Sequence, residues 1–408
     1  MRIVVAMSGG VDSSAVAGLL HEAGHEVIGV TLQLYDHGAA ARISPGGGAT
    51  RKGACCAGQD IHDARRVADH LDIPHYVIDA EARFAAAVIA DFADSYAAGE
   101  TPVPCVRCNQ TVKFADLTAL ARGLGAERLA TGHYVRRLDG PAGPELHRAV
   151  DPARDQSWFL FATTREQLAM SLFPLGGMAD KAAVRAEAER LGLPVAAQPV
   201  SQDICFVAPG LRETAVGGGA GRATGGLGGG GYADVVARLR PDAAAPGEIV
   251  SRDGRVLGRH DGIARYTVGQ AKRLGAAALD GGARQVVVAT DPARRRVVVG
   301  PRDAGTVSVR LREVNWLAPA PAGELRCTVK LRARETPQPA RLRVIGGGGA
   351  EVVLDAPALP APGQACVFYD GERVLGGGFI RRPDAVDAAG PVALSAPFRG
   401  SDGGVAQR

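Results

Sequence analysis

The chain has 408 residues, 46% hydrophobic and 22% charged, with a formal net charge of +4. That is the composition of a folded globular chain of two or three domains, and it excludes global disorder. No run of eighteen apolar residues is present to span a bilayer, and no charged-then-apolar leader precedes MRIVVAMSGG. The seven cysteines are therefore expected in a reducing cytoplasm, as catalytic or metal-binding thiols rather than structural disulfides.

The apolar run 2–7 ends at Ser8-Gly9-Gly10 and suits a strand buried on both faces of a parallel sheet. Ala15, Val16, Leu19 and Leu20 then mark a helix that stops near Gly24. Strands at 25–34, 74–78 and 128–131 alternate with helices at 60–71, 83–98 and 114–124. This alternation predicts a doubly wound parallel α/β domain, whose ligands sit at the carboxyl ends of its strands. Ser8, Leu32 and 131–133 all fall at such ends. Segment 211–231 carries ten glycines in 21 residues and is expected to be disordered, as are the shorter break at 44–53 and the tail 383–408. From Tyr232 the pattern turns to short strands with Gly/Pro turns, which predicts a β-rich module and then a barrel. A hairpin is expected around Asp291-Pro292.

Of the 47 basic residues only five are lysine, a bias that codon usage explains. Codon usage does not explain clustering: residues 284–343 hold 13 Lys or Arg against five Asp or Glu, which makes this stretch a candidate phosphate-binding face.

The heptapeptide Ser8-Gly9-Gly10-Val11-Asp12-Ser13-Ser14 lies between strand and helix. Its glycines let backbone N–H groups approach an anion at a helix N-terminus, and Asp12 is placed to cap the helix or hold Mg²⁺. The Walker-type loop is absent and no lysine lies nearby in sequence. The motif resembles the PP-loop of ATP pyrophosphatases, which release pyrophosphate and adenylate a substrate. Cys105-Val106-Arg107-Cys108 follows Thr101-Pro102-Val103-Pro104; because proline disfavours helix, both thiols are expected on a rigid loop. Cys205 is the one further cysteine well placed to join them. Cys327 and Cys366 fall in strand patterns and read as core.

Further motifs follow in order: Lys113-Phe114, Thr131-Gly132-His133-Tyr134, Asp155-Gln156-Ser157-Trp158, Ile204-Cys205-Phe206, Tyr266-Thr267-Val268-Gly269-Gln270, Cys327-Thr328-Val329-Lys330 and Pro362-Gly363-Gln364. With the heptapeptide and the Cys-Val-Arg-Cys-Asn run, this set resembles the tRNA-specific 2-thiouridylase (tRNA-uridine 2-sulfurtransferase) family across about residues 1–382. The resemblance implies ATP-dependent adenylation of the C2 oxygen of the wobble uridine, followed by replacement of that oxygen with sulfur. It implies ATP binding by Ala6, Met7, Ser8, Gly9, Gly10, Val11, Asp12, Ser13, Leu32 and Gly132. Cys205 would carry a persulfide received from a donor protein or cysteine desulfurase. Cys108 would be the second catalytic cysteine, releasing sulfide or closing a disulfide with Cys205. Val103, Pro104 and Cys105 would touch the target base, and His133, Arg154, Asp155, Gln156, Arg332 and Gln364 the tRNA.

The implied domains are a PP-loop catalytic domain (1–208), a glycine-rich insertion (209–231), a small tRNA-contacting domain (232–283), an RNA-binding β-barrel (284–382) and a tail (383–408). Cys105 stands where the family commonly has Asp, three residues before the nucleophile. Three thiols at Cys105, Cys108 and Cys205 leave a second scheme open, in which a [4Fe–4S] cluster delivers sulfide. Ala333 replaces a frequent aromatic of the barrel. Two other functions compete: another PP-loop adenylating ligase that uses ammonia, and a non-catalytic RNA-binding module.

Overall fold

The computed structural model describes residues 1–34, 56–198, 205–206 and 232–383. The segments expected to be disordered at 44–53 and 209–231, and the tail from residue 384, lie outside the described residues.

The first domain is a parallel sheet. Strands β1 (Arg2–Ala6), β2 (Glu26–Gln33), β3 (His75–Asp79) and β4 (Arg128–Thr131) are followed by the hairpin β5 (Val135–Gly140) and β6 (Gly143–Arg148), then by the two-residue β7 (Ser171–Leu172). The sheet order is β3-β2-β1-β4-β7, with every neighbour parallel. Ile3, Val4 and Val5 of β1 are fully buried, as a continuous apolar central strand must be. The chain leaves β1 toward β2 on one side and returns in β4 on the other, so the crevice between β1 and β4 is the topological switch point where ligands bind in such sheets.

Helix α1 (Val11–Glu22) follows β1, and α2 (Cys56–Leu71) precedes β3. Gly18 of α1 lets the tip of Leu191 come close: a Cβ there would stand 2.8 Å from Leu191 Cδ1. That close approach seats the helix Lys181–Arg190, N-capped by the Asp180 side chain, against α1.

The second module has strands β8 (Gly247–Ser251), β9 (Val256–His260), β10 (Leu279–Asp280), β11 (Ala283–Asp291) and β12 (Arg296–Pro301), in the order β10-β11-β12-β8-β9. The hairpin around Asp291-Pro292 is β11–β12. It belongs to this sheet and not to the barrel, because β12 pairs with β8. The expected boundary at 283/284 followed the onset of positive charge, whereas hydrogen bonding carries the module on to Pro301.

The third sheet contains β13 (Thr306–Trp316), β14 (Leu325–Lys330), β15 (Gln338–Ile345), β16 (Gly349–Ala358), β17 (Ala365–Asp370) and β18 (Arg373–Ile380). Pairing of β13 with both β16 and β18 closes these six strands into a barrel. The β5–β6 hairpin of the first domain joins this sheet at β18, with Arg373 opposite His147. One apolar cluster accordingly spans both domains, packing Val4, Phe114, Leu129, Trp158 and Phe161 with Leu317, Val367, Tyr369 and Phe379. Cys327 and Cys366 are barrel core, as their strand positions suggested.

Candidate active site

The turn after β1 is built to leave its backbone open. Gly9 has φ +73°, a conformation L side chains rarely adopt, and a Cβ there would meet the Asp60 carbonyl oxygen at 2.3 Å. Gly10 begins α1 without a side-chain cap. The serines bind the turn itself: Ser13 Oγ accepts from Ser8 N at 3.0 Å, and Ser13 and Ser14 donate to the Gly10 carbonyl at 3.2 and 2.9 Å. Gly132, at the end of β4, comes so close that a Cβ there would stand 3.0 Å from Ser13 N. Met7 and Val11 are buried in one apolar cluster, and Ala6 and Leu32 pack against another. Nine of the ten residues expected to cradle ATP lie along the end of β1, the turn into α1 and the end of β4, while Leu32 lies in the neighbouring strand β2.

Two residues that sequence reasoning did not assign reach the loop from elsewhere. Lys181 Nζ donates to Asp12 Oδ1, and Tyr134 OH donates to the same oxygen at 2.5 Å. Lys181 is 8% exposed, and burial lowers its pKa while Asp12 holds its proton in place. Arg154 and Arg185 are near enough to press the same way on Lys181. Arg154, expected against tRNA, therefore lies beside the nucleotide loop. The signal for Lys181 was its residue type. In a chain that uses lysine at five of 47 basic positions, a lysine stands out as a compact ammonium among guanidiniums.

The second half of the site holds the thiols. Pro104–Cys108 is helical, not the expected loop, because proline at the first helical position removes an N–H that has no partner there and its fixed φ favours the turn. The helix continues through a π-helical turn, Asn109–Lys113, into the helix Phe114–Gly123. Such π turns are frequent at functional sites. Cys108 is 5% exposed and packs with Phe84, Val88 and Val112; Phe206 docks on the same cluster, 5.8 Å from the Phe84 ring and 5.2 Å from the Phe92 ring. This docking carries the neighbouring Cys205 to the Cys108 pocket. Cys105 and Cys205 open to solvent on one side, while protein packed around the other side desolvates their thiols.

Burial raises the pKa of all three thiols, that of Cys205 to about 12, and Lys113 opposes the rise at each of them. Burial works against the Lys113 charge, yet the three thiols together raise its pKa. Lys113 is thus near enough to each of the three cysteines for its charge to favour their thiolates. His133 stacks on Phe114 with ring centroids 5.9 Å apart, and its Nδ1 lies 2.9 Å from Thr131 Oγ1. Burial, then Lys113, lowers its pKa to about 3, so the ring is neutral at working pH.

Other residues expected to contact tRNA are engaged inside the protein. The Asp155 carboxylate accepts from Arg148 at 2.9 Å and from the amides of Ala149 and Ser157. Gln156 Oε1 accepts from Tyr134 N at 2.9 Å. Gln364 Nε2 donates to Thr101 O at 3.0 Å. Arg332 donates to the Val268 and Leu359 carbonyls, each at 3.0 Å, and to Glu335 at 2.8 Å. These four hold the frame together. Val103 and Pro104 are buried at the start of the cysteine helix.

Among the described residues, no three His, Cys, Asp or Glu side chains stand close enough together to hold one metal ion. No helix among the described residues is long and apolar enough to cross a membrane.

Residues 1–209 match the model of the tRNA methyl transferase HUP domain, 234–301 its PRC-barrel domain and 306–380 the aminomethyltransferase β-barrel domain. These spans place the end of the second module where β12 ends. The tRNA-specific 2-thiouridylase MnmA of Acidiphilium cryptum is 67% identical over 380 residues, covering 93% of this chain and all of the relative. That of Gluconobacter oxydans is 58% identical over 390 residues, covering 94% and 100%. Among solved structures, a 4-thiouridine synthetase–RNA complex with bound ATP shares 15% identity at a TM-score of 0.32, over 50% of this chain and 44% of that one. With 67% identity over 93% of its length and family models that match residues 1–209, 234–301 and 306–380, the chain belongs to the tRNA-specific 2-thiouridylase family.

Proposed function

We propose that the protein adenylates the C2 oxygen of the tRNA wobble uridine with ATP and replaces that oxygen with sulfur carried on Cys205. The observation that carries the reading is the pairing of an open glycine turn at the β1/β4 switch point with three thiols gathered around Lys113. In the first half-reaction the uridine O2 attacks the α-phosphorus. The bond from that phosphorus to the bridging oxygen breaks, its electron pair leaves on pyrophosphate, and the N3 proton passes to solvent. The backbone amides after Ser8 and the N-terminus of α1 face the phosphates, and Mg²⁺ enters bound to ATP as part of the substrate.

In the second, a persulfide on Cys205, supplied by a donor protein, attacks C2 through its terminal sulfur and expels AMP. Cys108 then attacks the Cys205 sulfur. The sulfur–sulfur bond breaks, its pair stays on the uridine sulfur, and a Cys108–Cys205 disulfide remains for an external thiol to reduce. Lys113 stabilises the thiolates that this sequence needs, against the burial that disfavours them.

The test is a paired assay of the full chain with tRNA. Cys108→Ser and Cys205→Ser are expected to keep tRNA-dependent pyrophosphate release within about threefold while thiouridine formation falls at least about 1000-fold. A variant that thiolates at the wild-type rate overturns the relay.

A further inference from the structure

We propose that Lys181 is a catalytic residue of the adenylation half-reaction: its ammonium exchanges Asp12 for the pyrophosphate leaving group and neutralises the charge that develops there. The proposal deepens the adenylation reading above and rests on it.

Anion-binding loops at strand–helix junctions usually pair backbone amides with a cation. This loop has none of its own, since neither lysine nor arginine occurs between Arg2 and Arg42. The fold supplies one from 169 residues away. Lys181 is the first residue of the helix Lys181–Arg190, and the tight seat of that helix on Gly18 brings its ammonium to Asp12, in the first turn of α1.

The Lys181 side chain is 9% exposed, and its ammonium is held by a carboxylate that also accepts from a tyrosine hydroxyl. The Tyr134 ring lies 6.0 Å from Nζ, Tyr134 OH shares its Asp12 oxygen, and Arg154 and Arg185 add positive charge around one carboxylate. Without ATP, the Lys181 ammonium is paired with the Asp12 carboxylate. A magnesium–triphosphate competes for the Asp12 carboxylate and offers the cations a richer anion in exchange. As the α–β phosphate bond breaks, the negative charge that arrives on the bridging oxygen meets an ammonium already fixed in place. Such preorganised charge is worth most in the transition state.

A merely structural ion pair makes a different forecast. It would fix the helix on α1 and disturb AMP and pyrophosphate sites alike. The decisive readout is therefore product inhibition of tRNA-dependent pyrophosphate release, measured separately with inorganic pyrophosphate and with AMP. Lys181→Met is expected to slow release about 100-fold, as for loss of one charge-stabilising group. It is also expected to raise the pyrophosphate inhibition constant at least about tenfold while leaving that of AMP within about threefold. Lys181→Gln, which still donates to Asp12 but carries no charge, is expected to match it and serves if Met disturbs folding. Lys181→Arg is expected to recover part of the pyrophosphate affinity.

An unchanged pyrophosphate constant in both neutral variants, or equal weakening of AMP and pyrophosphate, overturns the assignment of Lys181. If the wild-type protein releases no pyrophosphate with tRNA, the adenylation reading itself fails, and the role of Lys181 falls with it.

Discussion

At the scale of single residues, the site is a set of charges adjusted by burial. Cys205 is exposed yet resists ionisation, with its thiol pushed up to about 12. Alkylation of Cys205, followed by mass spectrometry of its peptide, is therefore expected to accelerate about tenfold per pH unit from 7 to 10 without a plateau, because only the thiolate reacts. A plateau near pH 8.5 would show an ordinary thiol. Lys113→Met removes the charge that opposes the rise and is expected to slow alkylation further at every pH.

His133 titrates in the other direction. Its folded pKa of about 3 lies below the ordinary 6.5, so the unfolded chain binds the extra proton between those values. Stability from this group is complete above about pH 6.5 and is lost as pH falls toward 3, at up to roughly 1.4 kcal/mol per pH unit. His133→Phe keeps the stack on Phe114 without a titrating group, and chemical denaturation between pH 4 and 7 is expected to show a flatter acid limb.

At the scale of elements, the cysteine helix is strapped to the barrel. Arg107, between the two cysteines, donates to both Glu313 oxygens at 2.6 and 3.0 Å, lies 3.6 Å from Asp91, and sits 4.3 Å above the Phe379 ring. Glu313 holds φ +52° where the register of β13 shifts against β18. A left-handed glutamate in a strand costs energy, so the carboxylate is placed there at the expense of backbone ease. Next to it, Arg312 grips Glu100 at 3.1 and 2.8 Å. Glu313→Gln keeps the strain and removes the charge. It is expected to lower stability by about 1–3 kcal/mol in urea unfolding and to reduce thiolation more than tRNA binding.

Sequence reasoning located this helix's chemistry but gave it the wrong backbone, because Pro104 was weighed as a breaker and not as a first-turn residue. It found the strands of the parallel sheet and barrel from apolar runs. It missed the β5–β6 hairpin, whose 135–148 segment offers Arg136, Arg137 and Asp139 in place of an apolar run. The glycine turn and the cysteines were legible because their chemistry is local. Lys181, the Arg107–Glu313 strap and the internal duties of Asp155, Gln156, Arg332 and Gln364 depend on partners up to 263 residues distant, and spacing cannot show them.

At the scale of the whole molecule, seven of the 13 basic residues at 284–343 are paired inside the protein. Arg294, Arg296, Arg312, Arg326, Arg332, Arg341 and Arg343 each stand against a carboxylate. Arg334 is exposed, whereas Arg332 staples the second module to the barrel through Val268 O. The two arginines are therefore expected to separate on mutation. Arg334→Ala should reduce the slope of log tRNA affinity against log salt by roughly 0.7–0.9. Arg332→Ala should leave that slope unchanged and lower the melting temperature by several degrees, as follows for a loss of about 1 kcal/mol or more. Equal slope changes in both would place Arg332 on the RNA after all.

The apolar cluster shared by the first domain and the barrel also bears on how the protein is made. Val4, Leu129 and Trp158 leave the ribosome long before Val367, Tyr369 and Phe379, which complete their packing. At about 5–20 residues per second, the 171 residues between 209 and 380 take roughly 10–30 s to synthesise. For that interval the nascent first domain presents an unfinished apolar face and an unpaired hairpin edge. Truncation after residue 209 makes that interval permanent: such a fragment is bound for chaperones or aggregates, while the full chain closes its core only when its last strand arrives.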